Sequence, residues 1–477
     1  MPNGSAMSFS KASKMSKGVR IVTPGAGERV LSLLRDARRA RTQGPDAIEE
    51  RQRARLAEMV AYARAYSPYY RVLYKDLPDR VEDPILLPVT NKKQLMARFD
   101  DWVTDREVTI EKVRAFIGKP NLIGERFLDT YTPLTTSGTT GTPGVFVLDD
   151  HTMAVTNALV LRMLGAWVRV TDIVRIIARG GGTTLICATG GHYAEAVAGA
   201  LLRKRFGDTA IQVVPAQAPL VEMVDLLNRF GPAILAPYAS VGALLAREQE
   251  AGRLRLNPAL VVLLAEGLPE GGYDRIAKAF NVKVRHSYGA TEFPVIAYSC
   301  DHGWLHVNSD WVVLEPVDAD FRPTPPGRQS HTVLVSNLAN RVQPILRYDL
   351  GDRILRRPDP CPCGNLLAAI RVEGRTADML TFSTERGEQV SIPALMFEIV
   401  DAMGVELFQI VQTTPTSLRV RFRPAAGADP DRVWRAVQTE IMRVLAAGNL
   451  GHVTVRRAEE PPEQSAGGKY RAVIPLT

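Results

Sequence analysis

No window of this 477-residue chain offers about 18 consecutive apolar residues, so a transmembrane helix is not expected. The segment Met1 to Arg20 is polar, rich in Ser and Lys, and lacks the apolar centre of a secretory signal. Residues 1–25 are expected to form a disordered leader. Cysteine is scarce: four in a chain of this size cannot make a disulfide framework, and the expected compartment is the reducing cytoplasm. Dense Lys/Arg blocks interleaved with aromatics are missing, which argues against a nucleic-acid partner. There is no internal repeat and no long Pro/Gly linker. What is present is an ordinary globular composition, 45% hydrophobic and 23% charged, in a chain long enough for two or more domains. The net charge of +8, with Arg far commoner than Lys, would favour a polyanionic ligand.

The chain changes character along its length. Residues 28 to 66 carry apolar positions at helical spacing and predict two amphipathic helices. From about 155 to 300, apolar runs alternate with helical stretches. The runs are Ile173–Ile177, Ile211–Val214, Ala233–Ala236, Leu260–Leu264 and Val282–Val284; the helices include Leu220–Phe230 and Tyr273–Phe280. That alternation predicts parallel strands with crossover helices. Residues 305–357 turn to short β-like runs, including Val312–Glu315 and Thr332–Val335. After Arg375 come a hairpin, a helix from Pro393 to Met403, strands near 406 and 418, a helix from Pro430 to Ala446 and a strand at His452–Arg456.

One segment stands apart. Thr135-Thr136-Ser137-Gly138-Thr139-Thr140-Gly141-Thr142-Pro143-Gly144 packs six hydroxyls and three glycines into ten residues, ahead of the apolar run Val145–Leu148. Glycine lets backbone N–H groups approach a polyanion, and hydroxyls add donors without bulk, so the stretch is suited to phosphates. It is no P-loop, because no Lys closes it. Ser/Thr/Gly clusters are also ordinary surface loops, and composition alone does not separate the two readings.

Four later motifs follow in fixed order: His286-Ser287-Tyr288-Gly289-Ala290-Thr291-Glu292, Arg347-Tyr348-Asp349-Leu350-Gly351-Asp352, Gly374-Arg375-Thr376-Ala377-Asp378 and Gly467-Gly468-Lys469-Tyr470-Arg471. With the loop, the series resembles the adenylate-forming superfamily of acyl- and aryl-CoA synthetases, peptide-synthetase adenylation domains and luciferases. Leu56–Val60, Tyr66–Tyr70 and Leu87–Leu95, which includes Thr90-Asn91-Lys92-Lys93, are similar to the phenylacetate-CoA ligase branch. The resemblance spans about residues 50 to 475.

It implies an α/β fold: a large N-terminal domain with parallel sheets flanked by helices and a β-rich subdomain, plus a small mobile α+β C-terminal domain. The boundaries expected are 26–374, with the β-rich part at about 300–374, and 375–477. It implies that Ser137, Gly138, Thr139, Thr140 and Gly141 cradle the phosphates of ATP, that Ala265, Glu266 and Gly267 line the adenine, and that Tyr288 stacks on it beside Gly289. Thr291 would reach the α-phosphate, Glu292 would bind Mg²⁺, Asp352 would hold the ribose with Arg375 reinforcing it, and Lys469 would be the catalytic lysine. His192, Tyr238 and Ala290 would line the acid pocket, which suggests an aromatic or similarly compact acid. The sequence departs from the family at Thr142, usually Lys, at Gly267, usually Pro, and at Ala377, where the hinge acid is expected. The stretch Thr381–Val390 is longer than the compact turn beside the pantetheine tunnel in relatives, which bears on CoA transfer.

The implied reaction is adenylation of a carboxylic acid with release of pyrophosphate, then transfer to CoA. An amine or a carrier-protein thiol as acceptor is the alternative, and an inactive binding protein on the same fold is a third. A small-molecule acid and CoA are the expected partners, with a homodimer by analogy and neither membrane nor nucleic acid.

Cys300, Cys361 and Cys363, with His302 and His306, offer three thiols and two imidazoles, enough for a closed Cys₃His zinc site that would staple the β-rich part. His306 is preferred, since His302 sits so close to Cys300 that both would need a tight turn to meet one ion. Reduced, buried thiols are the alternative, and Cys187, in an apolar run, reads as core.

Overall fold

Two helices, Ala26–Gln43 and Pro45–Tyr66, fulfil the amphipathic pattern of residues 28–66. Gly44, at φ 102°, makes the turn between them, and Pro45 opens the second helix where a missing N–H costs nothing. The second helix buries Leu56, Met59, Val60 and Ala63. Arg55 leaves that core and lies 3.6 Å over the Trp311 ring, so the helix is fastened to the β-rich part. The computed structural model describes residues 26–136, 143–265, 267–268, 271–375, 379–397, 405–425, 427–463 and 472–476. Among them no single helix is long and apolar enough to cross a membrane.

A nine-stranded mixed sheet organises the middle of the chain. Ile211–Pro215, Thr183–Cys187, Ile234–Pro237, Leu260–Leu263 and Val284–Ala290 lie side by side and parallel. Phe293–Ser299, Leu305–Val307, Ala369–Arg375 and Asp352–Arg356 continue it antiparallel. All four residues of Leu260–Leu263 are buried, as a central parallel strand covered on both faces requires. The covering helices include Leu220–Phe230 and Gly272–Phe280, close to the predicted bounds.

One predicted strand is a helix. Ile173–Ile177 lies within the helix Val170–Ala178, started by the Asp172 carboxylate, which accepts the Arg169 N–H at 3.0 Å. Its Val170, Ile173, Val174 and Ile177 are exposed. The strand in this region is Thr183–Cys187 instead, reached through Gly180 and Gly181 at positive φ.

Two smaller sheets frame the site. Thr132–Thr135 pairs antiparallel with Val145–Leu148, and the Ser/Thr/Gly loop is the connection between them. Val312–Val317, Thr332–Asn337 and Tyr348–Asp349 form a three-stranded sheet. Buried amides join the two: Gln343 accepts the Val147 N–H at 2.7 Å and donates to the Val145 carbonyl at 3.2 Å, while Asn340 donates to the Val147 carbonyl at 2.9 Å.

Beyond residue 378 the chain builds a core of its own from Leu380, Phe382, Ile410, Val437, Ile441 and Leu445, among others. Met379–Ser383 and Gln389–Pro393 make the expected hairpin, so Thr381–Val390 is a regular two-stranded element. A four-stranded sheet follows, in the order Thr454–Arg457, Ser417–Pro424, Val405–Thr414, Val473–Ile474, with the helix Pro430–Ala447 as predicted. Of the helix expected at Pro393–Met403, Ala394–Phe397 is a 3₁₀ turn, and residues 398–403 lie outside the described residues.

Candidate functional site

The parallel strands put their carboxyl ends on one edge, where open α/β sheets bind ligands. His192 follows Thr183–Cys187, Tyr238 follows Ile234–Pro237, Ala265 and Gly267 follow Leu260–Leu263, and Ala290 ends Val284–Ala290. Four separate stretches of sequence therefore deliver predicted site residues to one edge. Ala265 adopts φ 63°, a left-handed conformation unusual for a residue with a Cβ and a form of strain concentrated at functional sites.

The motif at 286–292 straddles the turn where the sheet changes from parallel to antiparallel. Gly289 is obligatory there, since a Cβ would lie 2.0 Å from the Pro294 carbonyl oxygen. Tyr288 is buried and donates its hydroxyl to Asp352 Oδ2 at 2.6 Å. Asp352 pairs in register with Arg375 across neighbouring strands, and Arg375 Nε meets Asp352 Oδ1 at 3.2 Å. Burial, reinforced by the Asp352 charge, raises the Tyr288 hydroxyl well above its ordinary value, so it stays a proton donor. Thr291 is half-buried at the turn.

Glu292 is buried and accepts the Tyr348 hydroxyl at 2.8 Å. Burial raises its carboxyl above the usual range; Tyr348, Arg375 and Lys92 oppose that shift. Tyr348 sits in the 347–352 motif with Asp352, and Arg347 and Asp349 of the same motif make backbone contacts. Arg347, at φ 46°, donates to the Ile85 and Leu87 carbonyls at 3.0 and 2.7 Å, and Asp349 accepts the Gly351 N–H at 3.0 Å. Tyr348 and Lys92 are the members of this cluster that sequence reasoning did not assign, although both lie in stretches it singled out.

The Ser/Thr/Gly loop closes at its base. Thr136 N–H donates to the Gly144 carbonyl at 3.0 Å, and Gly144 N–H returns a bond to Thr136 Oγ1 at 2.8 Å. Ser137, Gly138, Thr139, Thr140, Gly141 and Thr142 lie outside the described residues, as do Glu266, Ala377, Asp378 and Lys469.

The three pocket candidates separate. Tyr238 is buried, and its hydroxyl accepts the Ala188 N–H at 2.9 Å, which ties two strand ends together. His192 is 1% exposed beside Phe116 at 5.6 Å, and neither ring nitrogen makes a hydrogen bond of ordinary geometry. Burial holds its pKa below the ordinary value, although the Leu122 and Ile117 backbones favour protonation. Ala290 is half-buried at the strand end.

A second cluster lies at the other end of the antiparallel strands. One ligand atom from each of Cys300, His306, Cys361 and Cys363 falls within 4.8 Å of the others. Cys300 Sγ and Cys361 Sγ are 3.8 Å apart, and Cys363 Sγ is 3.1 Å from His306 Nε2. Two thiolates at Zn–S distances of about 2.3 Å on a tetrahedron are separated by about 3.8 Å. His306 Nδ1 is 3.0 Å from the Leu367 carbonyl, the contact that fixes the tautomer with Nε2 free to ligate. These four donors could hold a metal ion, with His306 in the set and His302 outside it. Cys187 is buried, and burial pushes its thiol up to about 12, so it behaves as core.

No protein-family model and no curated protein matches the sequence. Solved structures do. A 2-hydroxyisobutyryl-CoA ligase in its postadenylation state with R3-HIB-AMP aligns at TM-score 0.63 and 21% identity over 90% of this chain and 89% of that one. An open conformation of that ligase, with 2-HIB-AMP and CoA, aligns at 0.54 and 20% identity over 90% and 91%. Its thioesterification state aligns at 0.51 and 21% over 90% and 89%. The chain has the fold of the adenylate-forming ligases.

Proposed function

We propose that this chain is an ATP-dependent ligase that adenylates a carboxylic acid, releases pyrophosphate and passes the acyl group to CoA. The observation that carries the reading is the convergence of Tyr288, Glu292, Tyr348, Asp352 and Arg375 on the carboxyl edge of the sheet. Asp352, held by Tyr288 and Arg375, presents acceptors suited to ribose hydroxyls. Glu292 supplies a buried carboxylate suited to Mg²⁺, a hard cation that takes oxygen ligands. Bound there, Mg²⁺ would neutralise charge on the polyphosphate. A carboxylate oxygen of the acid would attack the α-phosphorus, forming one P–O bond as the bond to pyrophosphate breaks. A thiolate would then take the acyl carbon, with AMP as leaving group. Lys469 remains the proposed cation for the first step.

The acid is proposed to be aromatic or similarly compact, on the motif resemblance; the 2-hydroxyisobutyryl adducts of the solved ligase make small hydroxy acids the other class to try. Transfer to an amine or carrier thiol is the second reading, favoured by the regular hairpin at Met379–Pro393 where relatives carry a compact turn. We further propose a structural zinc ion on Cys300, His306, Cys361 and Cys363, and a division into large and small parts near residue 375. The test is pyrophosphate release with ATP and Mg²⁺ over aryl, hydroxy and aliphatic acids, with and without CoA. Acid-dependent release that rises with CoA is expected; release indifferent to CoA would replace the acceptor, and none with any acid would sink the reading.

A further inference from the structure

The ten residues from Thr135 to Gly144 contain no charged side chain. A triphosphate carries several negative charges, so hydroxyls and backbone N–H groups there would leave them uncompensated. The structure supplies a cation from elsewhere. Thr90, fully buried, is stitched to the strand that carries Tyr348: its N–H donates to the Arg347 carbonyl at 3.0 Å, its carbonyl accepts from Asp349 at 2.8 Å, and its hydroxyl donates to Leu346 at 3.0 Å. Asn91 then caps the next helix, accepting the Gln94 N–H at 3.0 Å. Between these two fixed points and the helix Lys92–Ala97, the direction of the Lys92 side chain is set.

That side chain runs along the loop base. Its Cε lies 3.2 Å from where a Cβ on Gly144 would stand, and its Nζ is 3.4 Å from Thr136 Oγ1. Burial lowers the Lys92 pKa; the Glu292 charge opposes that shift and the Arg375 charge adds to it. Lys93, the next residue, points into solvent.

We propose that the Lys92 ammonium binds the β- and γ-phosphates of the nucleotide, and hence the departing pyrophosphate, at the mouth marked by Thr136 and Gly144. This rests on the ligase reading above. Asp352, Tyr288 and Arg375 mark the nucleoside end, and Lys92 marks the opposite, loop-side end. A compact ammonium on a flexible stem suits phosphates that change position as a bond breaks. Lys92 therefore distinguishes nucleotides by their terminal phosphates.

The experiment is equilibrium binding of Mg·ATP, pyrophosphate and AMP by calorimetry to the full-length protein and to Lys92→Met, Lys92→Arg and Lys93→Met, with melting curves as a fold check. Lys92→Met should weaken ATP and pyrophosphate about tenfold or more while AMP moves less than about twofold. Lys92→Arg should recover part of the loss, and Lys93→Met should bind as the parent does. Equal weakening of ATP and AMP would make Lys92 a structural residue, and unchanged ATP binding would remove it from the site; either result overturns the inference and leaves the ligase reading standing. If the unaltered protein binds no nucleotide, both fall together.

Discussion

Glu292 and His286 stand six positions apart on one motif, yet their surroundings give them opposite work. The Glu292 carboxylate is buried against a single hydroxyl, an arrangement that a cation would complete. Glu292→Gln keeps an acceptor for Tyr348 and removes the charge, so the melting temperature should change little while acid-dependent pyrophosphate release falls about 100-fold or more. Loss of both together would make Glu292 structural. His286 packs on Tyr273 at 4.8 Å, and burial, with the Arg285 charge, lowers its pKa to about 4. A depressed pKa means that the unfolded chain takes up the proton first as pH falls. The stability His286 contributes is full above about 6.5 and lost as pH falls to about 4, a difference of up to ~3 kcal/mol. His286→Phe keeps the ring contact without the titration. Denaturant melts at pH 7 and pH 4.5 should show the parent losing ground to the variant at the lower pH, and parallel losses would refute the assignment.

At the scale of elements, the hairpin joining Val284–Ala290 to Phe293–Ser299 decides where Tyr288 and Glu292 point. Gly289→Ala forces a Cβ against the Pro294 carbonyl, and the hairpin must open to admit it. A loss of about 1–3 kcal/mol in denaturant melts and a larger proportional loss of turnover are expected, because the shift falls between two site residues. The legibility of the sequence also divides by element. Strands bounded by turn residues, such as Ile211–Pro215 and Leu260–Leu263, were readable because their apolar runs are short and closed at both ends. Ile173–Ile177 was not, since five apolar-rich residues fit either period and a capping carboxylate at Asp172 decided for helix. Thr183–Cys187 escaped notice behind two threonines. Tyr288, Asp352 and Arg375 form one bonded cluster, with Glu292 on Tyr348 beside it. Lys92 and Tyr348 needed the fold, because the pairing of Thr90 with Tyr348 and the contact of Lys92 with Thr136 join stretches far apart in sequence. The charge-free loop is the sequence feature that the cation proposed at Lys92 would complement.

Across the whole molecule, the Cys/His cluster and the Glu292 cluster are the two ends of the same strands. Phe293–Ser299 has Glu292 immediately before it and Cys300 immediately after it. Ala369–Arg375 pairs with His306 at its first residue and ends on the arginine that grips Asp352. A strand of seven residues is about 20 Å long, so the ion proposed on the cysteines would not touch the nucleotide but would fix the registers that deliver Glu292 and Arg375. Removing the proposed metal should therefore have a mechanical consequence. Purified protein should contain about one zinc per chain by elemental analysis. A strong chelator, or Cys361→Ser with Cys363→Ser, should lower the melting temperature by about 5 °C or more. The Michaelis constant for ATP should then rise several-fold, with a smaller change in turnover, since the far ends of both strands lose their anchor while the chemistry keeps its residues. An unchanged ATP constant in a destabilised, metal-free protein would confine the ion to stability alone.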